Sequence, residues 1–108
     1  MSLWTSSEIE KATDGKATQA FETSGISIDT RTLKKGEVYL ALKVDAIDGH
    51  YYVEAAFKAV AVAAIVRQGF SSGFPLVHVN DTMTALENLG TAARARAKAK
   101  IIAVTGSA

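Results

Sequence analysis

Hydrophobic and polar positions along the chain change period several times, and each change predicts an element. Thr5-Ser6-Ser7 followed by Glu8-Ile9-Glu10 predicts a helix start, because a hydroxyl accepts from orphan N–H groups and acids suit the positive helix end. Asp14-Gly15 should end it. Residues 17–21 read as a short edge strand. Gly25-Ile26-Ser27-Ile28-Asp29-Thr30 alternates apolar and polar, the pattern of a half-buried strand. Val38-Tyr39-Leu40-Ala41-Leu42 is almost continuously apolar, as expected of a central strand covered on both faces. Residues 44–50 read as a loop. Val53, Ala56, Phe57 and Val60 then recur at helical spacing. Val62-Ala63-Ala64-Ile65-Val66 and Leu76-Val77-His78-Val79 are two further strands, separated by a loop with two glycines and the only proline.

Asn80 or Asp81 can cap the next helix, expected over about residues 82–97 with Met83, Leu86, Leu89, Ala93 and Ala97 as its apolar stripe. Arg94, Arg96, Lys98 and Lys100 gather toward its C-terminal end, where cations offset the helix dipole. Ile101-Ile102-Ala103-Val104 reads as a last strand, running straight into Thr105-Gly106-Ser107-Ala108. The order implies an α/β fold: a small mixed sheet with helices packed on it and at least one right-handed crossover between parallel strands. Residues 1–100 are expected to form one domain, with 101–108 the first strand and loop of another.

Composition narrows the function classes. The 108 residues are enough for one real core, a chain of this size burying roughly two-thirds of its unfolded surface. Apolar residues make up 48% and charged residues 21%, which places the chain with ordered globular proteins rather than disordered ones. A net charge of +1 gives no global field for nucleic acid or an anionic membrane, so neither is an expected partner. The stretch Arg94-Ala95-Arg96-Ala97-Lys98-Ala99-Lys100 lacks interleaved aromatics and reads as a solvated helix end rather than an RNA-binding surface. With no cysteine, disulfides and thiolate metal sites are excluded. The first residues show no basic segment leading into an apolar one, and no apolar run is long enough to span a bilayer, so a cytoplasmic location is the default.

Candidate chemistry lies at the strand ends. An apolar strand entering Thr105-Gly106-Ser107 is how many phosphate-cradling loops begin, and it is also how an ordinary strand enters a turn. No Gly-Lys-Thr follows, so catalysis by this chain alone is not expected, and no catalytic residue is assigned. Polar clusters at Asp29-Thr30-Arg31, at Lys43 and at Asp48-Gly49-His50 surround the predicted sheet, where ligands of α/β folds usually sit. Arg31 and Lys43 could pair with a diphosphate, and Asp29 and Thr30 could hydrogen-bond a sugar or base. The plainer alternative is a strand-to-turn segment with a local Asp–Arg pair. His50 is either a ligand donor or a hydrogen-bonded surface group, and His78 reads as structural. Asp45, Asp48 and His50 on one loop make too weak a donor set for a metal site.

Taken in order, GISIDTRTLKKGEVYLALK from Gly25, DGH at Asp48-Gly49-His50, AAFKAVAVAAIV, PLVHVNDTMTALENLG and IIAVTGSA resemble the N-terminal part of the Mur ligases, and the resemblance spans essentially the whole chain. The opening LWTSSEIEKATDGKAT looks most like the branch that adds D-alanyl-D-alanine, with the branch adding the third amino acid as its rival. The resemblance implies a domain that holds the UDP part of a UDP-N-acetylmuramoyl peptide within an ATP- and Mg2+-dependent amide-forming ligase. Thr30, Arg31, Lys43, Asp48, Gly49 and His50 would then line the UDP site, and Thr105, Gly106 and Ser107 would open the ATP loop. Three positions depart from the family pattern: Val44 and Val60 stand where glycine is usual, and Tyr51 where an acid is usual. A valine at a glycine position is expected to be strained unless the backbone differs, and Val60 is expected to add to the core. The alternative reading is a stand-alone α/β scaffold that binds nothing, and a free edge on Ile101-Ile102-Ala103-Val104 would invite self-association.

Overall fold

The computed structural model describes residues 4–44 and 47–104. A five-stranded sheet forms its centre, in the order β2 (Lys16–Ala17), β9 (Leu76–Val79), β8 (Ala63–Arg67), β5 (Glu37–Leu40), β4 (Gly25–Ser27). The four strands from β4 to β9 are mutually parallel, and β2 adds antiparallel at the edge beside β9. Two small two-stranded pairings accompany it: β1 (Trp4–Thr5) with β3 (Glu22–Thr23), and β6 (Lys43–Val44) with β7 (Ile47–Asp48). The mixed α/β fold expected from the pattern is therefore present. The β6–β7 pairing is an addition, and all of it but Lys43 falls in the segment expected to be a loop.

Helices cover both faces of the sheet. On one face α1 (Ser6–Thr13) and α3 (Thr82–Val104) meet Val38, Leu40, Ala63, Ile65, Val77 and Val79, with Ile9, Ala85 and Leu89 at the contact. On the other, α2 (Val53–Ala59) sets Val53 and Ala56 against Tyr39, Ala41, Ala64, Val66 and Leu76. Alternation along β5 explains the division, since Val38 and Leu40 point one way and Tyr39 and Ala41 the other. Burial on both sides explains why β5 and β8 read as continuous apolar runs.

Local chemistry sets the helix ends. Thr5 and Glu8 form a reciprocal cap on α1: the Glu8 N–H donates to Thr5 Oγ1 at 3.2 Å, and the Thr5 N–H to Glu8 Oε1 at 2.9 Å. Asp14 closes the helix in the left-handed region at φ 57°. Gly15 follows because a Cβ there would sit 2.7 Å from Val79 Cγ1 and 2.9 Å from the His78 carbonyl. At α3 the Asp81 carboxylate accepts the Met83 N–H at 2.9 Å, as a capping residue should. The buried face of α3 is Thr82, Ala85 and Leu89, with Leu86 packed against the same core; Leu86 and Leu89 of the expected stripe face inward, whereas Met83 is exposed.

The structure differs from the sequence pattern at two places. Ile101-Ile102-Ala103-Val104 is the end of α3 and not a strand, and the helix crosses residue 100 without a break. The alanine-, arginine- and lysine-rich stretch before it consists of strong helix formers, and extending a helix costs far less than starting one. Among the described residues, no strand lies beside 101–104 to complete a ladder. Val60, expected to fill the core, is 42% exposed. It ends α2 at φ 135°, a conformation that β-branched residues rarely adopt, so the expected strain is present and the core filling is not.

Candidate functional site

Parallel β4 and β5 end side by side, with Ser27 level with Tyr39. The chain leaving β4 is folded back by its own hydroxyl and carboxylate groups. Ser27 Oγ donates to the Asp29 carbonyl at 3.0 Å and accepts the Asp29 N–H at 3.2 Å. Asp29 then draws in Arg31: Oδ1 accepts the Arg31 N–H at 2.8 Å and Nε–H at 3.2 Å, and Oδ2 accepts from Nη2 at 3.0 Å. This side-chain pairing holds the Asp29 carboxyl below its ordinary range and raises Arg31 above its own. The local Asp–Arg pair foreseen as the plainer alternative is thus formed. It leaves Nη1 of the guanidinium and one Nη2 hydrogen for other acceptors, on a side chain that is 87% exposed.

The chain beyond β5 supplies the opposite wall. A 3-10 turn, Gly49–Tyr52, presses Gly49 against the backbone of Leu42. A Cβ on Gly49 would stand 2.8 Å from both Leu42 N and O and 2.9 Å from the Tyr39 hydroxyl, so only glycine fits. Tyr39 is buried and donates its hydroxyl to the Gly49 carbonyl at 2.9 Å. Burial first, then the nearby Tyr52, Asp29 and Asp48, pushes its phenol up to about 12. Between the two walls lies a cavity of about 580 Å³ lined by Ile28, Asp29, Thr30, Arg31, Tyr39, Leu42, Gly49 and Tyr52. It opens at the carboxyl ends of the strands, where ligands of open α/β sheets bind.

Of the residues expected at a UDP site, Thr30, Arg31 and Gly49 line this cavity. Asp48 and His50 form the layer behind it. Asp48 Oδ1 accepts the His50 N–H at 3.0 Å and lies 2.6 Å from His50 Nδ1. His50 Nε2 accepts the Arg67 N–H at 2.9 Å. An accepting Nε2 makes Nδ1 the protonated nitrogen, donating to Asp48. Both nitrogens are therefore engaged within the protein. The His50 ring also lies 5.3 Å from that of Phe70. Arg67 Nη2 stands 3.8 Å from Asp48 Oδ2. The hydrogen bonds from His50, backbone first, hold Asp48 below the usual carboxylate range. Lys43 takes its place in β6 opposite Asp48. Asp45 and the three residues of the expected ATP loop, Thr105, Gly106 and Ser107, lie outside the described residues.

His78 is structural, its Nε2 donating to the Phe70 carbonyl at 2.8 Å. Tyr51 is 85% exposed and contributes nothing to the cavity wall. Sequence reasoning did not single out Ile28, Tyr39, Leu42 and Tyr52 as lining residues. For Tyr39 a signal existed, because strand alternation sets it opposite Val38 and Leu40, on the face that the turn covers.

Among the described residues, no helix is long and apolar enough to cross a membrane. No family model matches the chain. Individual relatives do. The UDP-N-acetylmuramoyl-tripeptide–D-alanyl-D-alanine ligase of Bacillus subtilis is 38% identical over 77% of this chain, which covers 19% of that protein. The UDP-N-acetylmuramoyl-L-alanyl-D-glutamate–2,6-diaminopimelate ligase of Listeria monocytogenes serotype 4b is 29% identical over 69% of the chain and is covered over 15%. A crystal structure of MurF from Acinetobacter baumannii superposes with a TM-score of 0.76 at 30% identity, over 83% of this chain and 21% of that one. The chain thus spans about a fifth of the length of these relatives. Sequence and fold agree that the chain belongs to the Mur ligase family, its match falling on one domain-sized part of those ligases.

Proposed function

We propose that this domain holds the UDP end of a UDP-N-acetylmuramoyl tripeptide for a cytoplasmic, ATP-dependent ligase that joins D-alanyl-D-alanine to it. The observation that carries the reading is the cavity at the carboxyl ends of β4 and β5. It gathers Thr30, Arg31 and Gly49 from segments distant in sequence, with an exposed guanidinium at its mouth. A phosphate oxygen can take the remaining Arg31 N–H groups, while Thr30 offers a hydroxyl to sugar or base. The diaminopimelate-adding ligases are the rival branch, since they match the same segment.

ATP and Mg2+ belong in this proposal to other parts of the enzyme. One observation favours the scaffold reading, in which nothing binds: Arg31 is already paired with Asp29.

Isothermal titration of the chain with UDP-N-acetylmuramoyl tripeptide, and separately with UDP, separates the two. The expected result is saturable binding of both, weakened about tenfold or more by Arg31→Ala, the size of one charge-assisted hydrogen bond. Absence of binding at millimolar ligand from a folded chain would establish the scaffold reading instead.

A further inference from the structure

Of the cavity's lining side chains, Tyr52 is the aromatic one left open. Tyr39 is buried and its hydroxyl is engaged by Gly49, whereas Tyr52 is 49% exposed and its hydroxyl has no partner among the described residues. Its backbone is nevertheless firmly held. Asp48 caps the turn that carries it, Gly49 is wedged against Leu42, and the Val53 N–H closes the turn onto the His50 carbonyl. The result is a flat aromatic wall on a fixed support, facing a cavity lined also by Ile28, Tyr39, Leu42, the small Gly49, the Thr30 hydroxyl and the Asp29–Arg31 pair. Charge in this cavity nearly cancels, because Asp29 sits within it against Arg31. A cavity of that character suits a neutral planar ring better than a diphosphate, which is left to the mouth and the free edge of Arg31.

We propose that Tyr52 is the specificity-determining residue of the site: its ring stacks on a planar pyrimidine base, while the diphosphate stays outside at Arg31. This rests on the binding function proposed above. A base offers a π-face that a bare sugar phosphate lacks, so stacking on Tyr52 discriminates nucleotides from sugar phosphates and from pyrophosphate. Neighbouring Tyr51, which points to solvent, takes no part.

The test is a proton-detected NMR titration of the chain and of Tyr52→Phe, Tyr52→Ala and Tyr51→Ala with UDP, and with pyrophosphate as the base-free probe. Stacking is expected to move the uracil H5 and H6 resonances upfield on binding. UDP affinity is expected to fall about tenfold or more in Tyr52→Ala, to survive in Tyr52→Phe and to be unchanged in Tyr51→Ala. Pyrophosphate affinity should be the same in all four proteins, which excludes a general loss of structure as the cause. UDP binding by Tyr52→Ala at the affinity of the unaltered chain would overturn this proposal and leave the binding function standing. Failure of the unaltered chain to bind UDP at all would overturn both.

Discussion

His50 Nδ1 lies 2.6 Å from Asp48 Oδ1, and the far side of the same ring accepts the Arg67 N–H. One histidine thereby ties the turn that walls the cavity to the end of β8, across 17 residues of sequence. In the sequence alone His50 is open to reading as a ligand donor, and the geometry makes it a strut. Replacing it with alanine removes the acceptor of a backbone N–H and leaves a void beneath Phe70. His50→Ala is expected to destabilise the fold by about 2–3 kcal/mol, read from urea unfolding. A change below about 0.5 kcal/mol, within the range of an ordinary surface substitution, would show that the strut is idle.

Asp48 gives this network its acid dependence. Its folded-state carboxyl titrates below the unfolded value, so its contribution is fully present above about pH 4 and is lost as pH falls through the depressed value. Asp48→Asn keeps an oxygen acceptor and removes the titration. Its stability is expected to fall less steeply below about pH 4 than that of the unaltered chain, measured by denaturation at a series of acid pH values. Parallel curves for the two proteins would exclude the assignment.

Tyr39 acts at the opposite end of the pH scale. An unfolded tyrosine ionises near 10, and in the fold Tyr39 ionises at about 12. Its contribution is complete below pH 10 and declines as pH rises toward 12. Tyr39→Phe is expected to cost about 1 kcal/mol at neutral pH through loss of the bond to Gly49, and to remove part of the alkaline decline. Ultraviolet titration should show one phenol ionising later than the rest, absent from the variant.

Val60 is the clearest local conflict in the chain. Its φ of 135° is a glycine conformation occupied by a β-branched residue, and the side chain is exposed enough that removing it forfeits little burial. Val60→Gly is expected to stabilise the protein by about 1 kcal/mol, strain relief outweighing the extra freedom of glycine when unfolded. The urea midpoint should rise at unchanged slope. A lower midpoint would mean that the backbone relaxes around valine.

These residues also show what could be read from the sequence. β8, β9, the Thr5 cap and the covered central strand follow from period and capping alone, because each is fixed within a few residues. The far end of α3 did not follow. An apolar tetrapeptide has no secondary structure of its own, and the preceding alanines and basic residues carry the helix through it. Thr30, Arg31 and Gly49 were found as separate polar clusters at strand ends. Their union with Tyr39 and Tyr52 was hidden, because it depends on the register that sets Ser27 beside Tyr39 and on the turn that brings Gly49 back over Leu42. Val60 was legible as a misplaced side chain, while its exposure was not, since burial belongs to the packed fold.

Where a UDP-linked ligand touches this domain decides the proposed function most directly. A heteronuclear NMR titration with UDP-N-acetylmuramoyl tripeptide reads that residue by residue. Saturable shifts gathered at Thr30, Arg31, Leu42, Gly49 and Tyr52, with the α1–α3 face unmoved, are the expected result. Shifts gathered elsewhere, or none at millimolar ligand from a well-dispersed spectrum, would contradict it.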